Sequence, residues 1–463
     1  MCGIWASILA NLSPELIREL SAKLQNRGSD GTYSQQISGD IHLVFHHLAL
    51  QGATAYTHQP LMKDGVYLIC NGHIYNHLSL YDNITGILPR ETPSDCEVIL
   101  SLYCRIADSF TESLWIDEVM RQLDGVFAFV LVDTHRNRIL ISRDEFGVRP
   151  LYISKTTPTN PQGWIVSSLR KGIPGESIPV LPGTSLWIER GERGARLKEI
   201  SWKPPLSFRN SIGTGTDAIV AMFAKAIHER LQVKTHIGCL LSGGVMSTLM
   251  CKCIVDWFLE NRGGRRGTLS PKRITKDVHT FTIGIGENHP DIISARKVAE
   301  ILGTTHHELI LKPDYDSLES SELQHRVIID LETDSPELLK QGKPMWLLGQ
   351  FIANVSQEMR KSKKGTIKKL FIGEGIDILS HPERIHTAFE SEYLVFDRCF
   401  ARWGLDVEFP WLDKDVVNVV LETIKQQGVS ASISRLFESM LQEVDELPEE
   451  IRNRKYVPLE LLF

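Results

Sequence analysis

The apolar residues of the first two hundred positions change their spacing along the chain. Ser13-Pro14-Glu15 is a helix start with proline in the first turn, and Leu16, Ile17, Leu20 and Leu24 follow at helical intervals. Beyond them the apolar runs are short and strand-like, at 41–50, 66–70, 126–132 and 138–142. The last two, joined through Asp133-Thr134-His135-Arg136-Asn137, form a predicted hairpin, so antiparallel sheets are expected. The texture changes at 203–216, where Lys203-Pro204-Pro205 and Gly213-Thr214-Gly215-Thr216 are linker material. After it, Ile219, Met222, Phe223, Ala226, Ile227 and Leu231 make one helical stripe. Strand cores at 237–241, 281–285, 308–311 and 370–372 then alternate with helical spacing such as Ala295, Val298, Ala299 and Leu302. Alternation of this kind predicts an α/β domain with a mostly parallel sheet. Two domains are expected, at 2–205 and 206–463.

Composition narrows the class without naming it. The chain has 463 residues, 42% hydrophobic and 23% charged, with 51 Lys plus Arg against 57 Asp plus Glu, a net charge of −6. This is an ordinary globular balance, and it argues against a dedicated nucleic-acid binder. No apolar run reaches the roughly 18 residues of a membrane span. Acidic Glu15 and Glu19 interrupt what a signal peptide would need, so a cytoplasmic protein is expected. The eight cysteines are scattered and predict reduced thiols, Cys251 and Cys253 forming an isolated C-x-C. The basic residues of 261–276 and Lys361, Lys363, Lys364, Lys368 and Lys369 are expected on solvated faces. The 16 histidines, including His46-His47, His73 with His77, and His306-His307, lack the spacing of a zinc set.

Cys2 changes the picture most. If Met1 is removed, Cys2 carries both a thiol and a free α-amine, whose reference pKa is about 8, so nucleophile and base share one residue. Asn26-Arg27-Gly28-Ser29-Asp30-Gly31 follows the first helix, and Asn71-Gly72-His73-Ile74-Tyr75-Asn76-His77 follows the strand at 66–70. Ser94-Asp95-Cys96-Glu97, Leu123-Asp124-Gly125-Val126-Phe127 and Arg143-Asp144-Glu145-Phe146-Gly147 complete the set. This half resembles the glutamine amidotransferase domain of class II enzymes, and more narrowly glutamine-dependent asparagine synthetases. The resemblance implies an N-terminal-nucleophile (Ntn-type) αββα sandwich of α+β class, in which Cys2 attacks the glutamine side-chain amide. It implies oxyanion donors on the Asn71 side chain and the Gly72 backbone, an α-amine subsite at Asp95, and a glutamine pocket along Leu48, Ala49, Leu50 and Gln51. His47 stands where the family has the arginine that grips the glutamine carboxylate, and His73 where it has a glutamate beside the amine.

The second half continues the resemblance. Ile237-Gly238-Cys239-Leu240-Leu241-Ser242-Gly243-Gly244-Val245-Met246-Ser247 runs from a strand into a turn and helix that present backbone N–H groups to an anion. It is similar to the pyrophosphate loop of ATP pyrophosphatases, which implies an ATP-pyrophosphatase-like α/β domain. ATP contacts would fall on Leu241, Ser242, Gly243, Gly244, Ser247, Ile283, Ile372 and Gly373. Within Ile372-Gly373-Glu374-Gly375-Ile376-Asp377, the resemblance assigns Glu374 to aspartate activation and Asp377 to Mg²⁺. Here too the sequence departs from the pattern. Met246 replaces the loop's aspartate, Ile378 replaces an acid, Glu337-Leu338-Leu339-Lys340 stands at the Thr-Thr-x-Arg stretch, and Glu408 replaces an arginine.

The function so implied is that of a glutamine-hydrolysing asparagine synthetase. Its substrates are glutamine, aspartate and ATP, its cofactor set ATP with Mg²⁺, and ammonia passes internally between the sites. A homodimer is compatible with it, and neither nucleic acid nor membrane is an expected partner. Met246 keeps a second reading open, a diverged homologue limited to glutaminase activity or to a binding or regulatory role.

Overall fold

Strand alternation builds the first half. The computed structural model describes residues 1–50, 58–84, 91–109, 114–154, 163–191, 194–202, 213–231, 236–263, 275–312, 318, 320–375 and 387–427. The chain divides into two compact units, Met1–Pro205 and Leu206–Phe463.

In the first unit, β1 (Gly3–Ile8) is followed by α1 (Pro14–Ala22), β2 (Gly31–Ser38), β3 (Ile41–His47), β4 (Leu61–Lys63) and β5 (Val66–Ile74). Then come α2 (His77–Ile84), α3 (Glu97–Ile106), α4 (Leu114–Gln122), β6 (Gly125–Asp133), β7 (Arg138–Arg143), β8 (Tyr152–Ser154), β9 (Trp164–Ser167), β10 (Ser177–Pro179), β11 (Thr184–Gly191) and β12 (Gly194–Ser201). They form two six-stranded sheets, ordered β10-β8-β9-β1-β3-β2 and β12-β11-β7-β6-β5-β4. The expected hairpin is β6–β7, antiparallel with Val130 opposite Ile141.

Because side chains alternate faces along a strand, each sheet has two apolar faces to bury. Ile4, Ala6 and Ile8 of β1 meet Ile69, Val130 and Ile141 of the other sheet in the central core. Trp5 points the opposite way and packs with Leu20 and Leu24 beneath α1. On the far sheet, Leu68, Phe127 and Phe129 bury against α3 and α4 through Val98, Ile99, Trp115 and Ile116. The result is the expected αββα sandwich. Helix α1 starts as its sequence predicts, with the Ser13 side chain accepting the Leu16 N–H and Pro14 in the first turn.

The second unit contains α5 (Thr216–Arg230), β13 (His236–Leu240), α6 (Val245–Gly263), β14 (Val278–Ile285), α7 (Pro290–Leu302), β15 (Thr305–Leu311), α8 (Ser321–Leu331), α9 (Pro336–Lys361), β16 (Ile367–Phe371), α10 (Glu392–Ala401), β17 (Asp406–Glu408) and α11 (Lys414–Gln427). The sheet order is β15-β14-β13-β16-β17, and every pairing is parallel. Parallel strands covered by helices read as continuous apolar runs. The apolar cores were therefore legible, while polar strand ends such as Thr305-His306-His307 lie outside the predicted boundaries.

Candidate active sites in the two units

Cys2 enters β1 at the edge of the central core, against which its side chain packs. The Leu48 N–H points at its sulfur, 3.4 Å away, a donor aimed at the atom that would carry charge as a thiolate. Three residues of the loop after α1 hold this arrangement. Arg27, buried, donates from Nε to the Cys2 carbonyl at 3.1 Å. Asp30 donates its own N–H to the His47 carbonyl at 3.0 Å and accepts the Ala49 N–H on Oδ2 at 2.8 Å. Between them, a Cβ on Gly28 would stand 2.2 Å from the His46 carbonyl oxygen, so only glycine lets the loop lie this close. The loop thereby fixes the 47–49 backbone at the sulfur.

Strand β5 supplies the second wall. Asn71 is buried, and its Nδ2 has no hydrogen-bond partner among the described residues. Gly72 follows, where a Cβ would meet the Val126 carbonyl oxygen at 2.1 Å. Asp95 Oδ2 accepts the Ile74 N–H at 2.8 Å and lies 3.6 Å from His73 Nδ1. Burial alone would push the Asp95 carboxyl up, but the His73 imidazole and the Ile74 N–H outweigh it and hold it below the usual carboxylate range. A hydrogen bond with Cys70 and burial push the Cys96 thiol well up, and it lies 3.7 Å from the Gly72 carbonyl. His47 sits among rings, 5.6 Å from Phe45 and 6.3 Å from His58 between centroids. Gln51 lies outside the described residues.

In the second unit the loop after β13 and the loop after β16 meet at the carboxyl ends of the strands, where open α/β sheets place their ligands. Leu241 donates its N–H to the Phe281 carbonyl at 2.8 Å, continuing the sheet into the turn. Gly243 has φ of +73°, the left-handed region that favours glycine. Ser242 Oγ accepts the Gly244 N–H at 3.2 Å and lies 3.1 Å from Ser247 Oγ. A Cβ on Gly373 would lie 3.0 Å from the Ser247 backbone nitrogen, so the second loop presses onto the first turn of α6. Ile283 and Ile372 are buried beside it. A 19-residue helix thus opens directly after this turn, with the positive end of its dipole at the loop.

Two family models match the chain, one described as a glutamine amidotransferase domain over residues 1–177 and one as asparagine synthase over 218–352. The glutamine-hydrolysing asparagine synthetase of Triphysaria versicolor is 30% identical over 455 residues, covering 91% of this chain and 70% of the relative. The chain belongs to the glutamine-hydrolysing asparagine synthetase family. A second such enzyme, from Lotus japonicus, is 31% identical over 450 residues with the same coverage. A diverged homologue limited to glutaminase activity, or to a binding or regulatory role, is not favoured against this background.

Within the family frame, the departures acquire a physical setting. Met246 stands in the first turn of α6 and is buried, at 6% exposure. Mg²⁺ takes hard oxygen ligands, which a thioether does not supply. Asp377 and Ile378 lie outside the described residues. The described loop residues therefore do not fit a loop-held Mg²⁺. Glu408, by contrast, is fully compensated. Its carboxylate lies 2.9 Å from Lys369 Nζ and 3.7 Å from Arg230 Nε, while Arg230 also reaches Asp413 at 3.0 Å. Lys369, expected on a solvated face, is instead buried in β16 at 3% exposure, where burial in an apolar strand is offset by its pairing with Glu408. Arg230, which ends α5, drew no expectation. Glu337 to Lys340 occupy the first turns of α9, behind a Ser335 cap.

Proposed function

We propose that the chain hydrolyses glutamine at Cys2 and uses the released ammonia to make asparagine from aspartate and ATP. The observation that carries this reading is a donor-held Cys2 sulfur together with a buried Asn71 on strand β5 whose Nδ2 has no partner among the described residues. After removal of Met1, the Cys2 α-amine accepts the thiol proton and the sulfur attacks the glutamine amide carbon. The carbonyl oxygen, now negative, takes hydrogen bonds from Asn71 Nδ2 and the Gly72 N–H. The tetrahedral adduct collapses to a thioester as the nitrogen leaves, taking the proton back as ammonia, and water then releases glutamate. Asp95 faces the substrate ammonium and His47 its carboxylate.

In the second unit the phosphates rest on the N–H groups of Ser242 to Gly244. An aspartate side-chain oxygen attacks the α-phosphorus and pyrophosphate leaves, giving β-aspartyl-AMP, with Glu374 serving this step. Ammonia then attacks the acyl carbon and AMP leaves. Cytoplasmic residence and a homodimer go with the same proposal. Among the described residues no helix is long and apolar enough to cross a membrane.

The deciding assay supplies ATP and aspartate with either glutamine or ammonium as nitrogen source. Cys2→Ala is expected to lose glutamine-dependent synthesis completely and to keep the ammonium-dependent rate. Persistent glutamine turnover in that variant would refute the N-terminal-nucleophile mechanism.

A further inference from the structure

We propose that Gln59 is a positioning residue for glutamine hydrolysis, its side-chain carbonyl fixing the edge of β5 so that the Gly72 N–H faces the reacting carbonyl oxygen. Its role presupposes hydrolysis at Cys2, as proposed for this unit. Gln59 belongs to none of the sequence motifs and drew no expectation.

Strand β5 lies between β6 and the three-residue strand β4. The β4 pairing covers only Val66 to Leu68, with Leu61 opposite Leu68. Past Leu68 the backbone polar groups on that edge need other partners. Successive residues of a strand turn their N–H and C=O to opposite edges, and three contacts show which ones turn away from β6. The Cys70 N–H donates to Gln59 Oε1 at 2.5 Å, the Gly72 carbonyl accepts from the Cys96 thiol at 3.7 Å, and the Ile74 N–H donates to Asp95 Oδ2 at 2.8 Å. Phe127 of β6 stands opposite Gly72, yet its carbonyl accepts the Asp144 N–H at 2.7 Å, on the side away from β5. Gly72 and Phe127 are therefore a non-hydrogen-bonded pair. The Gly72 N–H points to the edge that Gln59 and Asp95 occupy.

Gln59 and Asp95 thus hold the N–H groups two residues before and two residues after Gly72. They differ in what else they do. Asp95 also faces the substrate ammonium in the proposed mechanism, whereas Gln59, 5% exposed, serves the strand alone. Continuing the Leu61–Leu68 register by two residues brings position 59 opposite Cys70, so the side chain makes the bond that a longer β4 would make through its backbone. Without that acceptor the Cys70 N–H would be buried and unpaired, a costly state that the strand relieves by moving. Asn71 and Gly72, the next two residues, would move with it. A displacement of ~1 Å imposed from outside the reacting groups can cost on the order of 10²-fold in rate.

The test measures glutamine hydrolysis by the full chain in the parent, Gln59→Met and Gln59→Glu. Methionine keeps the length and loses the acceptor, so kcat should fall by about 10- to 100-fold while KM for glutamine stays within about threefold. Glutamate keeps an acceptor oxygen and should hold kcat within about fivefold of the parent. Ammonium-dependent synthesis should be unchanged in both. A second measurement needs no variant to fold. Residue-resolved hydrogen exchange on the parent should show slow Cys70 and Ile74 amides. Once Cys2 has been alkylated by the diazoketone analogue of glutamine, which places a carbonyl at the reacting position, the Gly72 amide should slow by about tenfold or more. Parental kcat in Gln59→Met, an equal loss in Gln59→Glu, or a Gly72 amide indifferent to the analogue would each overturn the role of Gln59 while leaving hydrolysis at Cys2 standing. A parent that hydrolyses no glutamine would instead overturn both.

Discussion

Asn71 holds a side-chain N–H in a buried place with no acceptor among the described residues. Such a group typically costs ~1–3 kcal/mol of stability. The cost makes sense if an acceptor appears only during reaction, as the oxyanion of the tetrahedral adduct does. Asn71→Ala is therefore expected to lower kcat for glutamine hydrolysis by ~10²–10³ while leaving the ammonium-dependent rate and the folded state intact. Steady-state assays with both nitrogen sources check this, and a loss below about tenfold would remove Asn71 from the oxyanion site. Met246 makes the opposite case, an apolar side chain where a loop that holds Mg²⁺ against the phosphates would want a carboxylate. Met246→Asp is expected to lower the Mg²⁺ concentration for half-maximal pyrophosphate release by about tenfold or more. An unchanged metal titration would show that this side chain does not face the metal. Both residues were legible from their motifs. The grip of Arg27 on the Cys2 carbonyl was not, because a motif marks that a residue matters without saying which backbone atom it holds.

Elements fix residues through packing, and the short strand β17 shows how charge enters that packing. Two cations, Arg230 and Lys369, and two carboxylates, Glu408 and Asp413, are buried together where α5, β16, β17 and the start of α11 converge. The Lys369 ammonium also donates to the Arg230 carbonyl at 2.7 Å, tying strand to helix end. Breaking one partner of a buried ion pair leaves an uncompensated charge, which costs ~3–5 kcal/mol. Lys369→Met is expected to destabilise by that amount in urea unfolding, and adding Glu408→Gln should recover most of it, since Arg230 keeps Asp413. A double variant as unstable as the single one would mean that Lys369 acts through its packing alone. Sequence patterning reads Glu408 as a bare charge reversal because the compensating cations lie 39 and 178 positions away. Apolar periodicity found the strands of both units for the complementary reason, that burial leaves its mark locally. Their polar ends did not show in that pattern, as with Asn71 to His73, which extend β5 beyond its apolar core and bring the Ile74 N–H to Asp95.

At the scale of the molecule, the residues proposed to free nitrogen fall before position 100 and those proposed to consume it after position 240, in separate units. The two half-reactions are then separable by single substitutions in either direction. Glu374→Gln is expected to abolish pyrophosphate release and asparagine formation with both nitrogen sources, while glutamine is still converted to glutamate within about twofold of the parent rate. Cys2→Ala is its mirror image. An equal mixture of the two variants gives the sharper measurement. Ammonia must then leave one chain and reach another through solvent. Asparagine should appear only after a lag, as free ammonia accumulates, and an added ammonia-consuming enzyme should suppress it. A parent protein that hands ammonia directly from one site to the other should show neither the lag nor the suppression. A parent protein as sensitive to the scavenger as the mixture would mean that its two units share nothing but bulk ammonia.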